Sequence, residues 1–232
     1  MIRVVDVEST GVDHTKDRVI QIGSVDLTKT GVINIQQTLV SLPEGMTIPY
    51  QASAVHHITD GDLAGAPPFE QAVEQFKGAD YYVAFNSKFD AGFLSDALGT
   101  KPEQWICVYK AALRAFPDLV SHSNQAVRYM LGEIEPFGFT RAELPSHAAA
   151  SDCIVTAAIF HRLLKTEGVT FALMKQWSAE PALFTVMNFG KHAGTRYDQI
   201  PADYLEWMIK QHDMDESKKF SARYWLDKRA EK

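Results

Sequence analysis

The 232-residue chain predicts an α/β domain built on a mixed five-stranded sheet flanked by helices, followed by a small C-terminal accessory module. Three observations carry this expectation. The first forty residues hold three runs rich in Val, Ile and Leu, separated by short breaks containing Gly, Asp and Lys. The next hundred or so interleave brief apolar runs with segments of helical spacing, which is the pattern of βα units. After Gly168 the regularity is lost, and Pro181 and the stretch from Asn188 to Gly194 interrupt any continuous helix.

In chain order, residues 2–7, 18–27 and 32–41 read as three strands joined by short turns, an antiparallel meander. From Pro67, the apolar residues Phe69, Ala72, Val73 and Phe76 recur at helical spacing and stop at Gly78. Tyr81–Phe85 is then a short buried strand, and a helix begins near Ser87. Residues 105–108 form a fifth strand, followed by a helix that Pro117 ends. Residues 122–132 and 147–165 are further helices, the second carrying Ile154, Val155, Ala158, Ile159 and Leu163 on a core-facing stripe. The expected organisation is a domain over 1–167, a linker over 168–182 and a module over 183–232 with its own aromatic cluster. Tyr81, Tyr82, Phe85, Trp105 and Trp177 are expected in the core rather than in a binding platform.

Composition narrows the classes of function. Hydrophobic residues make up 46% and charged residues 22%, as expected of a globular protein. No stretch approaches the ~20 apolar residues that cross a bilayer. Two acids within the first eight residues argue against an export signal, so a cytoplasmic protein with no membrane partner is expected. Cys107 and Cys153 form no CxxC pair and read as buried reduced thiols. With 23 basic and 29 acidic residues the formal charge is −6, which argues against coating nucleic acid through a broad basic surface. It leaves room for an enzyme that grips a few phosphates through bound cations.

Three short motifs carry chemistry. Asp6-Val7-Glu8 lies in a strand, and residues two apart share a face, so two carboxylates sit side by side. That arrangement is unfavourable unless one carboxylate takes a proton or both take a cation. Asn86-Ser87-Lys88-Phe89-Asp90 follows a strand directly and delivers an acid from the first turn of a helix; capping by Asn86 or Ser87 is the bland alternative. In Ser146-His147-Ala148-Ala149-Ala150-Ser151-Asp152 an acid opens a long helix and a histidine precedes it by five, a spacing that puts His147 on the entry loop or a frayed first turn. Each motif alone fits a structural role. Together they supply four acids from separate elements, a donor set suited to two hard divalent cations such as Mg²⁺ or Mn²⁺, with an imidazole beside them.

In this order, Asp6-x-Glu8-Ser9-Thr10-Gly11, Asn86-x-x-Phe89-Asp90 and His147-x-Ala149-x-x-Asp152 resemble the three motifs of the DEDDh 3′–5′ exonuclease family, across about residues 1–165. The resemblance implies an RNase H-like fold. It makes Asp6, Glu8, Asp90 and Asp152 the ligands of two Mg²⁺ or Mn²⁺ ions and His147 the general base. It also implies that Asn86 and Phe89 shape the pocket for the terminal nucleotide, that Thr10 and nearby backbone touch the 3′ end, and that His56 belongs to a substrate-side loop. His57 stands where that loop more often has glycine. The tail, with Phe189-Gly190-Lys191 and Tyr204-Leu205-Glu206-Trp207, is similar to that of a DNA-degrading branch of the family.

The implied partner is therefore the 3′ end of DNA, single-stranded or at a duplex terminus, with terminal phosphodiesters hydrolysed to nucleoside 5′-monophosphates, in DNA repair or recombination. An exoribonuclease of the same family and a non-cutting 3′-end-binding module are the rival readings. Lys88, Lys110 and Arg114, and in the tail Lys191 and Arg196, are candidate phosphate contacts. The sequence leaves the oligomeric state open.

Overall fold

The computed structural model describes residues 1–231. The first three strands, β1 (Ile2–Ser9), β2 (Val19–Leu27) and β3 (Val32–Leu39), form the antiparallel meander. A short helix α1 (Tyr50–His56) and the four-residue α2 (Phe69–Ala72), extended by a 3₁₀ turn over Val73–Phe76, lead into β4 (Tyr81–Ala84). Then come α3 (Ser87–Leu98), β5 (Trp105–Cys107), α4 (Val108–Ala115), α5 (Asn124–Met130), α6 (Ala149–Lys165) and α7 (Phe171–Ala179). The tail holds α8 (Ala202–Lys210) and α9 (Glu216–Ala230).

The sheet order is β3-β2-β1-β4-β5, with β4 and β5 parallel to β1. This is the mixed five-stranded sheet expected, and its parallel half is reached through the helical crossovers that such pairing requires. Alternation along β1 sorts the two layers. Val5 and Val7 join Ile22, Phe76, Tyr82 and Leu94 on one face. Val4 joins Val25, Val83, Ile106 and the buried stripe of α6 on the other. Asp6 and Glu8 share the Val4 face by the period of two, so they lie on the side that α6 covers.

Arg3 would be costly inside the sheet without a partner. It makes a two-pronged bond to Asp26 on β2, Nε to Oδ1 at 2.7 Å and Nη2 to Oδ2 at 3.0 Å.

Residues 168–182 differ from the expected linker. Most of the segment is α7, whose N-cap Thr170 hydroxyl accepts the Leu173 N–H at 3.1 Å and whose Met174 is fully buried against the α6 core. Ser178 of α7 accepts the Cys107 N–H at 2.8 Å, binding the helix to β5. Phe171, Met174 and Trp177 have the spacing of a helix face, a signal masked by the glycine and proline that bracket it.

Beyond it, Met187, Tyr197, Ile200, Leu205, Met208 and Ala222 form a separate apolar cluster with Phe184, Phe189, Tyr204 and Trp225 against it. Cys107 and Cys153 are buried free thiols. Among the described residues no helix is long and apolar enough to cross a membrane.

Candidate active site

Asp6 and Glu8 project from β1 toward the start of α6, and a glycine lets that helix come close. Gly23 on β2 pairs with Asp6, and a Cβ at Gly23 would lie 2.4 Å from the Ala149 carbonyl carbon and 2.5 Å from the Ala150 nitrogen. The first amides of α6 need acceptors because no helical carbonyl precedes them. Gln21 Oε1 accepts the Ala149 N–H at 2.9 Å and Gln37 Oε1 the Ala150 N–H at 3.0 Å, so β2 and β3 hold the helix N-terminus. Asp152, in the first turn, is thereby carried over β1.

Asp90 arrives from the opposite layer. Asn86 is the N-cap residue of α3, but its side chain makes no capping bond, while Asp90 does lie in the first turn of the helix. The Val7 N–H donates to Asp90 Oδ1 at 3.2 Å, tying the α3 acid to the strand between Asp6 and Glu8. His147 lies on the entry loop with φ of 60°, and its backbone N–H donates to Asp152 Oδ2 at 2.8 Å. One ring nitrogen of His147 and carboxylate oxygens of Glu8 and Asp152 lie within 4.8 Å of one another.

These residues line one cavity of about 380 Å³: the four acids and His147, with Asn86 and Phe89 at its wall and Asn124 and Gln125 opposite. No lysine or arginine is in the lining. Burial, with repulsion from Asp90, Asp152 and Glu8, holds the Asp6 carboxyl well above the ordinary range. Burial, Asp152 and Asp90 push Glu8 up to about 8. Burial raises Asp90 to about 7 against the pull of backbone N–H groups, Val7 among them. Burial also raises Asp152, against bonds from His147 and Gln125 and the charge of Arg128.

Four crowded carboxylates with no cation among them either keep protons or take up positive charge. An all-oxygen set of this kind fits a hard divalent cation.

Two expected contacts stand outside that lining. Thr10 is buried, its hydroxyl donates to Asp17 Oδ1 at 3.1 Å and accepts the Arg18 N–H at 3.0 Å, and its own N–H goes to the Arg18 carbonyl. These bonds pin the β1–β2 turn, the local role the structure gives Thr10. His56 is buried at the end of α1. Its Nδ1 accepts the Ile58 N–H at 3.0 Å, and its Nε2 is a buried nitrogen without a partner among the described residues. His57 follows with φ of 60°, the left-handed region where glycine is unstrained, so the histidine keeps the turn that the commoner residue would make.

Two of the candidate phosphate contacts are spent elsewhere. Lys110 Nζ donates to the carbonyls of Ser178 and Glu180, and Arg114 bonds Glu180 Oε2 at 2.8 Å and the Pro181 carbonyl at 3.2 Å. In the tail Arg196 pairs with Asp118 at 2.6 Å and with Asp198, while Lys191 Nζ lies 5.0 Å from the centre of the Tyr204 ring. Lys88 is exposed.

The structure adds residues that the motifs do not name. Gln125 Nε2 donates to Asp152 Oδ1 at 3.4 Å while its Oε1 accepts from Arg128 Nη1 at 3.1 Å. Arg128 is buried and also donates to the carbonyls of Glu133 and Ile134. His14 packs edge-on against Phe93 at 4.7 Å and stands 6.0 Å from Phe89, a fit that Gly92 permits because a Cβ there would meet the His14 ring. No spacing rule could find Gln125. Gly23 did carry a signal, as an isolated glycine within a strand pattern marks close backbone approach.

An acidic cavity at the end of a mixed sheet, with a histidine beside the carboxylates, fits a nuclease that uses divalent metal, and comparisons with known proteins give the family. The family model RNase_T, described as exonuclease, matches residues 4–160. Exodeoxyribonuclease 10 of Escherichia coli K12 is 30% identical over 231 residues, covering 98% of this chain and 99% of that protein. A solved structure of Exonuclease X in complex with 5′ overhanging duplex DNA superposes with a TM-score of 0.65 at 31% identity, over 77% of this chain and 100% of that one. The nuclease domain of 3′hExo, a DEDDh family member bound to rAMP, shares the fold, with a TM-score of 0.56 at 17% identity over 72% of this chain and 92% of that one. The chain belongs to the RNase_T exonuclease family. It is a 3′–5′ exonuclease with an RNase H-like fold.

Proposed function

We propose that the chain removes nucleotides from the 3′ end of DNA as nucleoside 5′-monophosphates, using two Mg²⁺ or Mn²⁺ ions held by Asp6, Glu8, Asp90 and Asp152, with His147 as general base. The single observation that carries the reading is the convergence of these five side chains from β1, α3, α6 and the α6 entry loop on one cavity. When bound, such ions polarise the scissile phosphate, ease deprotonation of an attacking water and stabilise the leaving oxygen.

The chain's own groups do the rest. His147, held at the cavity by its backbone bond to Asp152, takes the water proton on a ring nitrogen. Phe89, partly buried and buttressed by Phe93 and His14, offers a ring to the terminal base. The Asn86 amide, free of capping duty, is available to the same nucleotide. Gln125, oriented by Arg128, fixes the Asp152 carboxylate, the supporting role that outer hydrogen bonds play around metal ligands. DNA is favoured over RNA by the likeness to exodeoxyribonuclease 10 along nearly the whole chain.

The test is a matched pair of 5′-labelled DNA and RNA strands, incubated with Mg²⁺ and with a chelator and resolved nucleotide by nucleotide. Progressive shortening of DNA that the chelator stops is expected. Shortening of RNA alone overturns the substrate assignment, and cleavage that survives chelation overturns the metal assignment.

A further inference from the structure

A second groove of about 380 Å³ adjoins the acidic cavity. The two share Phe85, Asn86 and Ser123 in their walls, so they lie side by side just past the end of β4. One side of the groove is the catalytic domain, with Tyr109 at the start of α4 and the loop carrying Leu119 and Val120. The other side is the C-terminal module, which contributes Phe184, Thr185, Val186 and Asn188.

Several contacts hold that second wall in place. Arg114 is clamped between the rings of Trp177 and Phe220, at 5.8 and 5.9 Å, while bonded to Glu180. Arg196 of the module reaches Asp118, beside the rim of the groove. Val186 and Arg196 form a β-bridge, and the Phe184 N–H donates to Ser221 Oγ at 2.8 Å. Arg114 and Arg196 thus join the module to the wall opposite, while the bridge and the Ser221 bond hold the 184–196 segment to the rest of the module.

The lining chemistry selects an occupant. His122 lines the groove, but its Nε2 lies 2.9 Å from the Phe116 carbonyl and burial lowers its pKa, and no lysine, arginine, aspartate or glutamate joins it, which argues against a phosphate or a charged peptide. Aromatic rings with amide and hydroxyl groups at the edges suit a flat, neutral, hydrogen-bonding group, and an unpaired nucleobase is that group. A paired base would already have spent the edge donors and acceptors that Asn188 can meet. A groove that shares a wall with the acidic cavity is within reach of the strand being cut.

We infer that the C-terminal module closes a base-binding groove that holds an unpaired base of the substrate strand, one or two nucleotides before the terminal one. This rests on the DNA reading above and extends it, because the module becomes part of the substrate path.

The experiment uses the full chain and single-stranded DNA, intact or lacking the base at the second or the third position from the 3′ end. Loss of a stacked base is expected to lower kcat/KM of the parent about tenfold at one of these positions. Val186→Trp, which fills the groove from the module side, and Tyr109→Ala, which removes a ring from the other wall, are expected to lower kcat/KM on intact DNA by a similar factor and to erase the penalty for the missing base. A general folding defect would instead lower both substrates together and keep the penalty, so a penalty that persists in both variants overturns the groove. Absence of any penalty in the parent overturns it as well. If the parent shortens no DNA at all, the functional reading fails and the groove falls with it.

Discussion

Gly23 on β2 and Ala149 at the start of α6 are in backbone contact: a methyl group on Gly23 would overlap the Ala149 carbonyl carbon at 2.4 Å. The position of Asp152 on α6 is thus set by a missing side chain on β2, a strand that carries none of the proposed site residues. Gly23→Ala must push α6 off the sheet or distort β2, at a cost on the order of 1–3 kcal/mol. Displacing Asp152 and His147 by even an ångström is expected to lower kcat about 100-fold. Thermal unfolding and single-turnover rates on one variant check both effects, and a fully active Gly23→Ala would show that the close approach is dispensable.

The acid cluster should make stability depend on pH when no metal is present. Glu8 titrates at about 8 and Asp90 at about 7 in the folded chain, well above their ordinary values. An acid whose folded pKa is raised favours the folded state while protonated, and that contribution drains away as pH rises from its unfolded value through its folded one. The melting temperature of the chelated protein is therefore expected to fall between about pH 5 and about pH 8. Added Mg²⁺ should raise it most at the upper end, where the carboxylates are free to bind. A flat profile in chelator would contradict the crowding of these carboxylates.

His147 acts on the reaction and not on the fold in this account. His147→Ala is expected to lower kcat by about 100-fold to 10,000-fold, the range typical of a lost general base. Mn²⁺ affinity, measured by calorimetry, should stay within a few-fold of the parent because four carboxylates remain. A variant that loses metal binding along with rate would make the imidazole a ligand instead.

Arg114 joins the module to the catalytic domain through Glu180, the Pro181 carbonyl and two ring faces. Arg114→Lys cannot reproduce a planar group that stacks and forks at once, so it should behave much like Arg114→Ala. Both are expected to speed hydrogen exchange across 182–200 while leaving the α6 core protected. Unchanged exchange there would mean that the module is held by other contacts.

The sheet and the Asp6–Glu8 pair were legible in the sequence because both are short-range patterns, whereas Asp90 and Asp152 taken alone read as first-turn helix acids and joined that pair only through the joint occurrence of the motifs and the family resemblance. Alternation in the first forty residues yields the meander, and Asp6-x-Glu8 gives a same-face pair from the strand period alone. The helix over 171–179 escaped because flanking Gly168 and Pro181 read as breakers, although Phe171, Met174 and Trp177 pack as a helix face. Gln125, Gln21 and Gln37 escaped for a different reason. Their partners, Asp152, Ala149 and Ala150, are between 27 and 128 residues away, and only the folded chain brings them together. Thr10 belongs to a matching motif, and the turn that its hydroxyl and N–H close with Asp17 and Arg18 is one the motif does not announce.

Crystals soaked in Mn²⁺ and measured at the manganese edge test the central claim most directly. Two anomalous peaks are expected, each within coordination distance of oxygens from Asp6, Glu8, Asp90 or Asp152, and both should vanish in Asp6→Asn crystals. Peaks elsewhere, or a bare cavity at saturating Mn²⁺, would contradict it.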